Sequence, residues 1–153
     1  MILKVKRLHK DAVLPKYSKP GDAGMDLVGI SVTKTDKYIE YDTGLALEIP
    51  EGYVGLLFPR SSVSNKDLIL KNSVGIVDSA YRGSVRLRFN VTQNDKSSLV
   101  SNMFPDYGYR DVYEVGERVG QLIVIPIPLV EIQEVDELSV TERGEGGFGH
   151  TGN

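Results

Sequence analysis

Five short segments carry side chains that could act on a phosphorylated ligand, and the densest covers residues 72–83. Asp78 ends an apolar stretch, and a carboxylate in that position could activate a water molecule. Tyr81 offers a flat face to a sugar or a base, and Gly75 lets the backbone approach a ligand closely. The ordinary alternative is a hairpin in which Asp78 makes a local hydrogen bond within the turn.

A second segment places an arginine beside two serines. Arg60, Ser61 and Ser62 follow an apolar stretch, and because serine is a good helix N-cap, a short helix is predicted to begin at Ser61 or Ser62. The free N–H groups of a helix start and the fork of an arginine can bind phosphate together. An ordinary helix cap beside a surface arginine would have the same sequence.

Asp26 and Gln121 are polar residues set among apolar neighbours. Asp26 could hold Mg²⁺ through a water molecule, or it could be a buried carboxylate bonded to backbone N–H groups. Gln121 stands at the entrance of an apolar strand, where a ligand contact and a strand-edge amide are both open readings.

The C-terminal segment 143–152 is rich in glycine. Arg143, the closely spaced glycine amides and Thr151 have the chemistry of a flexible phosphate clamp, and Phe148 could act as a stacking lid. A disordered tail is the alternative that this composition also allows.

The composition limits the classes of function. The chain has 153 residues, no Cys and two His, so thiol chemistry, Cys-based zinc sites and a three-His metal site are excluded. Any metal must be held by oxygen ligands, as Mg²⁺ is. A net charge of −3 argues against broad nucleic-acid binding. With no apolar run near the length of a membrane span, we expect a cytoplasmic protein without a membrane partner.

The elements that must position these residues are strands. Val85, Leu87, Phe89 and Val91 alternate with polar residues, as in a half-buried strand. Further strands are predicted at 45–49, 53–58 and 122–130, the last buried on both faces, and 74–77 with 81–85 is predicted to form a hairpin across 78–80. Many short strands separated by Gly and Pro favour an all-β sandwich or barrel with at most one short helix.

One connection is longer than a hairpin needs. Residues 92–115 are first polar and then aromatic, and long loops in compact domains are usually functional or disordered. We predict a surface excursion over about 94–115 within a single domain at 1–142, and a possible protein-partner site between Asn94 and Arg110. The same aromatic residues could instead pack down on the domain as a small satellite cluster.

Taken in order, the five segments resemble the five motifs of the homotrimeric dUTPase family. They are 23–27, 59–62, 72–83, 116–121 and 143–152, and together they cover nearly the whole chain. The resemblance implies a jelly-roll-like β-barrel, a homotrimer and hydrolysis of dUTP to dUMP and pyrophosphate with Mg²⁺ on the triphosphate. It also implies a flexible glycine-rich arm at 143–153.

The resemblance assigns roles to individual residues. Asp78 corresponds to the base that deprotonates the attacking water, Tyr81 to the ring that packs on the deoxyribose, and Asp26 to a residue that reaches Mg²⁺ through water. The remaining substrate-binding positions are Arg60, Ser61, Ser62, Asn72, Gly75, Val77, Gln121, Arg143, Phe148, Gly149, His150 and Thr151.

The chain departs from the family pattern at two positions and leaves two alternative functions. Ala80 stands where an acid is common, and His150 where serine is common. A dCTP deaminase of the same fold would need a general-base glutamate where Arg88 stands. A regulatory protein on the same scaffold is the other alternative.

Overall fold

The computed structural model describes residues 1–92 and 111–147. These residues contain ten strands and one short 3-10 helix. The strands are β1 Lys4–Arg7, β2 Met25–Val28, β3 Ser31–Lys34, β4 Ile39–Asp42, β5 Leu45–Glu48, β6 Tyr53–Phe58, β7 Leu68–Leu70, β8 Gly75–Val77, β9 Arg86–Val91 and β10 Arg118–Pro126, and the helix is Ser61–Asn65.

The strands form two four-stranded sheets and a two-stranded ribbon, and every pairing is antiparallel. The first sheet has the order β2-β10-β6-β8, the second has β3-β4-β9-β7, and the ribbon is β1-β5. The all-β prediction with one short helix is confirmed. The layers are jelly-roll-like, and no closed barrel forms within 1–92 and 111–147.

The core lies between the sheets, where the predicted alternation in β9 is confirmed. Leu87 and Phe89 are buried while Arg86 and Arg88 face outwards. The rings of Tyr41, Phe89 and Tyr113 meet edge to face at 5.8–6.0 Å. The Tyr41 hydroxyl donates to the carbonyl oxygen of Tyr113 at 2.8 Å, and burial raises the pKa of Tyr41 to about 12. The hydroxyl therefore enters the core as a neutral donor.

The predicted hairpin across 78–80 is wrong. Strand β8 pairs with β6 in the first sheet, whereas β9 pairs with β4 and β7 in the second. Residues 81–85 form no strand because the chain is crossing between the sheets, where Val85 donates to the Leu45 carbonyl at 2.8 Å. Alternation along one chain cannot show which sheet a strand joins.

The strand predicted at 122–130 begins and ends four residues earlier. Pro126 pairs with Tyr53, the first residue of β6, so beyond it β10 has no β6 residue left to pair with. The apolar residues that follow are exposed, with Leu129 at 102% and Ile132 at 91%. Full burial within β10 is confined to Val119, Gly120 and Leu122 in its N-terminal half.

The long connection lies largely outside the described residues, since 93–110 are among those that the structure does not describe. Its C-terminal end belongs to the core, because Tyr113 is buried and Val112 packs against the same cluster. No helix in the described ranges is long and apolar enough to cross a membrane.

Candidate active site

Strand β6 carries the two groups of candidate residues at its opposite ends. Arg60 follows its C-terminal end, while Asp78 comes directly after Val77, which pairs with Gly55 near the N-terminal end. Asp78 is thus level with Val54, six residues before Arg60. At roughly 3.3 Å per residue the two positions lie about 20 Å apart along the strand. In one chain they form two separate regions.

The first region, the arginine cluster, consists of Asp26, Arg60, Arg118 and Gln121. Arg60 Nε donates to Asp26 Oδ1 at 2.8 Å, and Arg118 Nη1 donates to Oδ2 at 3.0 Å. The Asp26 side chain is only 12% exposed, so these two contacts are partly screened from water. Two guanidinium groups share one carboxylate, which leaves a net positive charge for an anionic ligand.

Strand register brings Gln121 into this cluster. Its partners on the two sides of β10 are Asp26 in β2 and Phe58 in β6, and its Nε2 donates to the Pro59 carbonyl oxygen at 3.1 Å. Gly24 leaves room for the amide, because a Cβ there would overlap Gln121 Oε1. The predicted polar residue at the strand entrance is therefore held beside Arg60.

The predicted helix start is confirmed, with a difference in type. Ser61–Asn65 is a 3-10 helix, Arg60 occupies the N-cap position, and no side chain caps the helix. Ser62 Oγ accepts from Arg60 Nη1 at 3.3 Å, while Ser61 is exposed. The serines are thus neighbours of the arginine rather than caps.

Asp26 is bonded in a third way that neither sequence reading anticipated. Its carboxylate accepts from arginine side chains, whereas only its own backbone N–H makes a main-chain bond, to the Lys16 carbonyl at 2.9 Å. No group of three or more His, Asp or Glu side chains that could hold a metal ion occurs in the described part of the chain. Direct protein coordination of a cation is not built here.

The second region, the loop cleft, is an open cavity of about 630 Å³ between β8 and the start of β9. Among the described residues β8 pairs only with β6, so the free edge of Gly75–Val77 borders this cavity. Asn72 and Tyr81 line it as well. Sheet edges offer unpaired N–H and C=O groups, which can recognise a planar ligand.

Glycine at position 75 has a packing reason. A Cβ there would lie 3.0 Å from the Cβ of Leu57. The close packing of β8 against the Leu57 side chain of β6 therefore favours glycine at this position. Two residues earlier, Ser73 has a φ of +59°, a left-handed conformation that costs a non-glycine residue roughly 1–2 kcal/mol. The turn that presents Asn72 is therefore strained, and sequence reasoning missed Ser73 because its type gives no signal.

Asp78 and Tyr81 share one tight turn, and Tyr81 lines the loop cleft. Tyr81 N–H donates to the Asp78 carbonyl at 3.1 Å, and both side chains are exposed. Arg82 holds the turn from outside, since its Nη1 donates to the carbonyl oxygens of Ser79 at 2.6 Å and Tyr81 at 2.9 Å. The carboxylate is open to water, as a base that activates water must be.

Sequence reasoning gave Arg118 and Arg82 no role, although both lie inside the five segments. Arginine is common on surfaces, and only the contacts of these two distinguish them.

The C-terminal segment is described as far as Gly147. Arg143 is exposed, and its Nε donates to the Gly146 carbonyl at 2.9 Å within its own turn. The structure does not bring it to either region. Phe148, Gly149, His150 and Thr151 lie outside the described residues.

Comparison with known proteins identifies the family. The dUTPase family model matches residues 10–101 and 107–152. Deoxyuridine 5'-triphosphate nucleotidohydrolases from Hydrogenobaculum sp. and Escherichia phage T5 are 36% and 34% identical, each over 99% of both chains. The Staphylococcus bacteriophage 80alpha dUTPase with dUPNHPP matches with a TM-score of 0.79 and 32% identity over 99% of both chains. A mutant dUTPase from phage phi11 of S. aureus, described as revealing the coordination of a structural Mg(II) ion, has a TM-score of 0.69 and 28% identity over 90% of this chain and 98% of that one. This chain belongs to the dUTPase family.

Proposed function

We propose that this protein hydrolyses dUTP to dUMP and pyrophosphate, by attack of water on the α-phosphorus. The observation that carries the proposal is a cationic cluster and a cleft lined by Tyr81 and the edge of β8, with the exposed Asp78 directly after that strand, in a chain of the dUTPase family. The relatives that match over their full length are named as dUTP nucleotidohydrolases.

Beside the loop cleft, Asp78 accepts a proton from the attacking water. Its exposed carboxylate is reachable by water, and phosphoryl transfer asks little more of the protein than an in-line nucleophile and fixed positive charge. The Tyr81 ring packs on the deoxyribose. Asn72 and the edge backbone of Gly75–Val77 read the uracil, because unpaired N–H and C=O groups can match its polar edge.

The arginine cluster receives the phosphates. Arg60 offers its guanidinium fork, and Ser61, Ser62 and Gln121 add donors around it. The donor set fits Mg²⁺ held mainly by triphosphate oxygens, with Asp26 reaching it through a water, since a carboxylate oxygen that accepts one arginine N–H retains a second lone pair. When bound, the ion supplies charge neutralisation on the phosphates.

The arm completes the site in this proposal. Arg143, Phe148, Gly149, His150 and Thr151 close over the nucleotide, as lids commonly do when they complete a catalytic constellation. We propose that the enzyme acts in the cytoplasm, where it would meet free dUTP.

We propose a homotrimer, the assembly that the resemblance to the family implies, and the geometry of β6 supports a site shared between copies. The backbone positions of Asp78 and Arg60 lie roughly 20 Å apart along β6, which is longer than a triphosphate, and this separation supports a site shared between copies. The site then takes Arg60 from a neighbouring copy. The segment after β10 supports this, because Leu129, Ile132 and Val140 are almost fully exposed and such apolar residues favour burial in an interface.

Release of pyrophosphate from dUTP, dCTP, dTTP and UTP, each with and without Mg²⁺, tests the activity. We expect turnover of dUTP alone, and faster with Mg²⁺. Ammonia release from dCTP would instead show a deaminase. A deaminase would need a glutamate base at position 88. The chain has Arg88 there, and its Nε donates to Glu40 at 2.6 Å.

Subunit mixing tests the shared site. Equal amounts of two variants are mixed and assayed at dUTP concentrations well below the wild-type KM, where Asp78→Asn alone is expected to be inactive and Arg60→Gln alone to have little turnover because of its raised KM. After unfolding and refolding together, about a quarter of the wild-type activity should return, because random assortment in a symmetric oligomer reunites the two intact residues in that share of sites. Verified mixed trimers without activity would contradict the shared site.

The partner site proposed between Asn94 and Arg110 lies outside the described residues and rests on sequence. A relative supports the idea that the scaffold can carry a second role, since work on the bacteriophage 80alpha enzyme describes phage dUTPases that control transfer of virulence genes. Replacing 94–110 by a short Gly/Asn turn should leave dUTP hydrolysis within a few-fold of wild type. Loss of turnover in an intact trimer would show that the segment helps to build the site.

A further inference from the structure

The ring of Tyr81 is fixed at two points in the loop cleft. Its hydroxyl donates to the Ser84 carbonyl oxygen at 3.1 Å. Beneath it lies Gly83, where a Cβ would overlap the phenol oxygen and the neighbouring ring carbons. The ring therefore has a defined position although Tyr81 as a residue is 46% exposed.

Ser84 is in turn anchored by Asp42, the last residue of β4. The Ser84 hydroxyl donates to Asp42 Oδ1, and the same oxygen accepts from the Gly44 N–H at 2.7 Å. Arg86 Nε donates to Oδ2 at 3.0 Å. With three donors the carboxylate is satisfied, and its own position is well determined.

The backbone beside Ser84 is also hydrogen-bonded to the residues that follow Asp42. Thr43, which is fully buried, donates its hydroxyl to the Val85 carbonyl at 2.8 Å, and the Val85 N–H donates to the Leu45 carbonyl at 2.8 Å. The wall of the loop cleft that carries Tyr81 is thus held by Asp42 of β4 in the second sheet and by Leu45 of β5 in the ribbon. The opposite wall, Gly75–Val77, belongs to the first sheet.

We propose that Asp42 and Ser84 are positioning residues for Tyr81, and that they set the preference of the site for a deoxyribose over a ribose nucleotide. The inference rests on the function proposed above, in which the Tyr81 ring packs on the sugar. Exclusion of a single hydroxyl depends on a ring that cannot move away. A ring tied through Ser84 to Asp42 meets that condition before any ligand binds.

The test compares kcat/KM for dUTP and for UTP in the wild type, Ser84→Ala, Asp42→Ala and the double variant. Each single change should lower the dUTP-to-UTP ratio by about 2- to 10-fold, the equivalent of one hydrogen bond. Because both residues act through one contact, the double variant should fall no further than the larger single effect. Asp42→Ala leaves Arg86 a partner, since its Nη1 lies 3.5 Å from Glu40 Oε1.

Thr35→Val is the matched control. It removes a hydroxyl that donates to the Tyr38 carbonyl at 3.0 Å in the turn between β3 and β4 of the same sheet. Its substrate ratio should equal that of the wild type, whatever it costs in melting temperature. An equal shift of the ratio in this control would overturn the assignment to Asp42 and Ser84.

Two further variants keep the inference testable if Asp42→Ala folds poorly. Tyr81→Phe keeps the ring and removes its bond to Ser84, and Gly83→Ala pushes the ring from below, so both should lower the ratio. For variants with little turnover, Kd values for the α,β-imido analogues of dUTP and UTP replace the rates. A wild type that released no pyrophosphate from dUTP would refute the proposed function, whereas an active wild type with unmoved ratios in all variants would refute only this inference.

Discussion

The arginine cluster and the loop cleft stand at opposite ends of β6 and are built by different means. In the arginine cluster, side chains from β2, β10 and the end of β6 meet, and opposite charges hold one another in a part-buried setting. The loop cleft is lined by a sheet edge and by Tyr81, and the candidate base Asp78 is exposed beside it. The part-buried arginines are held in place for an anion by the Asp26 carboxylate. The Asp78 carboxylate must instead be reachable by the water molecule that it would deprotonate.

The largest loss of activity is expected when the candidate base of the loop-cleft region is changed. Asp78→Asn should lower kcat by about 10²- to 10⁴-fold, because a positioned general base contributes that much. Nucleotide binding should survive, since the amide has nearly the same shape. Steady-state pyrophosphate release and calorimetric binding of an imido analogue measure the two separately. Substantial turnover in the purified variant would remove Asp78 from this role.

The arginine cluster should respond mainly in substrate affinity. Arg60→Gln removes a charge-assisted phosphate contact, and we expect KM for dUTP to rise by about 10- to 100-fold. Lys4→Gln is the control, because it removes a cation paired to Glu48 in the β1–β5 ribbon, outside both regions. An unchanged KM in Arg60→Gln would show that the phosphates bind elsewhere.

Gly24 provides a milder change of the same region without altering its charge. Gly24→Ala would push the Gln121 amide aside, and the expected loss in kcat/KM is about 10-fold or less, the scale of one hydrogen bond. Gly52→Ala is the control, because a Cβ there meets nothing within 4 Å, although its φ of +79° should lower the melting temperature. Equal kinetics in both variants would mean that Gln121 contributes nothing.

The smallest effects belong to the core that both regions share. Tyr113→Phe removes a buried hydroxyl that has no hydrogen-bond partner in the structure as described, so no loss of stability is expected and a gain of about 1 kcal/mol is the upper range. Tyr41→Phe removes the bond to the Tyr113 carbonyl and should cost about 1 kcal/mol. Denaturant unfolding compares the two, and activity should stay unchanged in both. The reverse order of stabilities would contradict this account of the core.

Strand content and motif residues could be predicted from the sequence because they depend on local chemistry. The alternation of Leu87 and Phe89 with arginines follows from the two faces of a strand, and the start of the helix at Ser61 was placed correctly. The hairpin across 78–80 and the end of β10 at Pro126 were not, because each depends on which partner strand is present. The residue types at 78–80 and at Pro126 do not show which strand lies beside them.

The sequence by itself determined the all-β class, the absence of cysteine-based metal sites and, through five ordered motifs, the family. Only the tertiary structure decided that Asp26 is bonded to Arg60 and Arg118 and that Tyr81 is tied through Ser84 to Asp42. It also decided that Asp78 and Arg60 are separated by the length of β6. The physical reason is that contacts between residues 42 or 92 positions apart in the chain are set by strand pairing, and pairing is decided by the burial of whole faces rather than by any single residue.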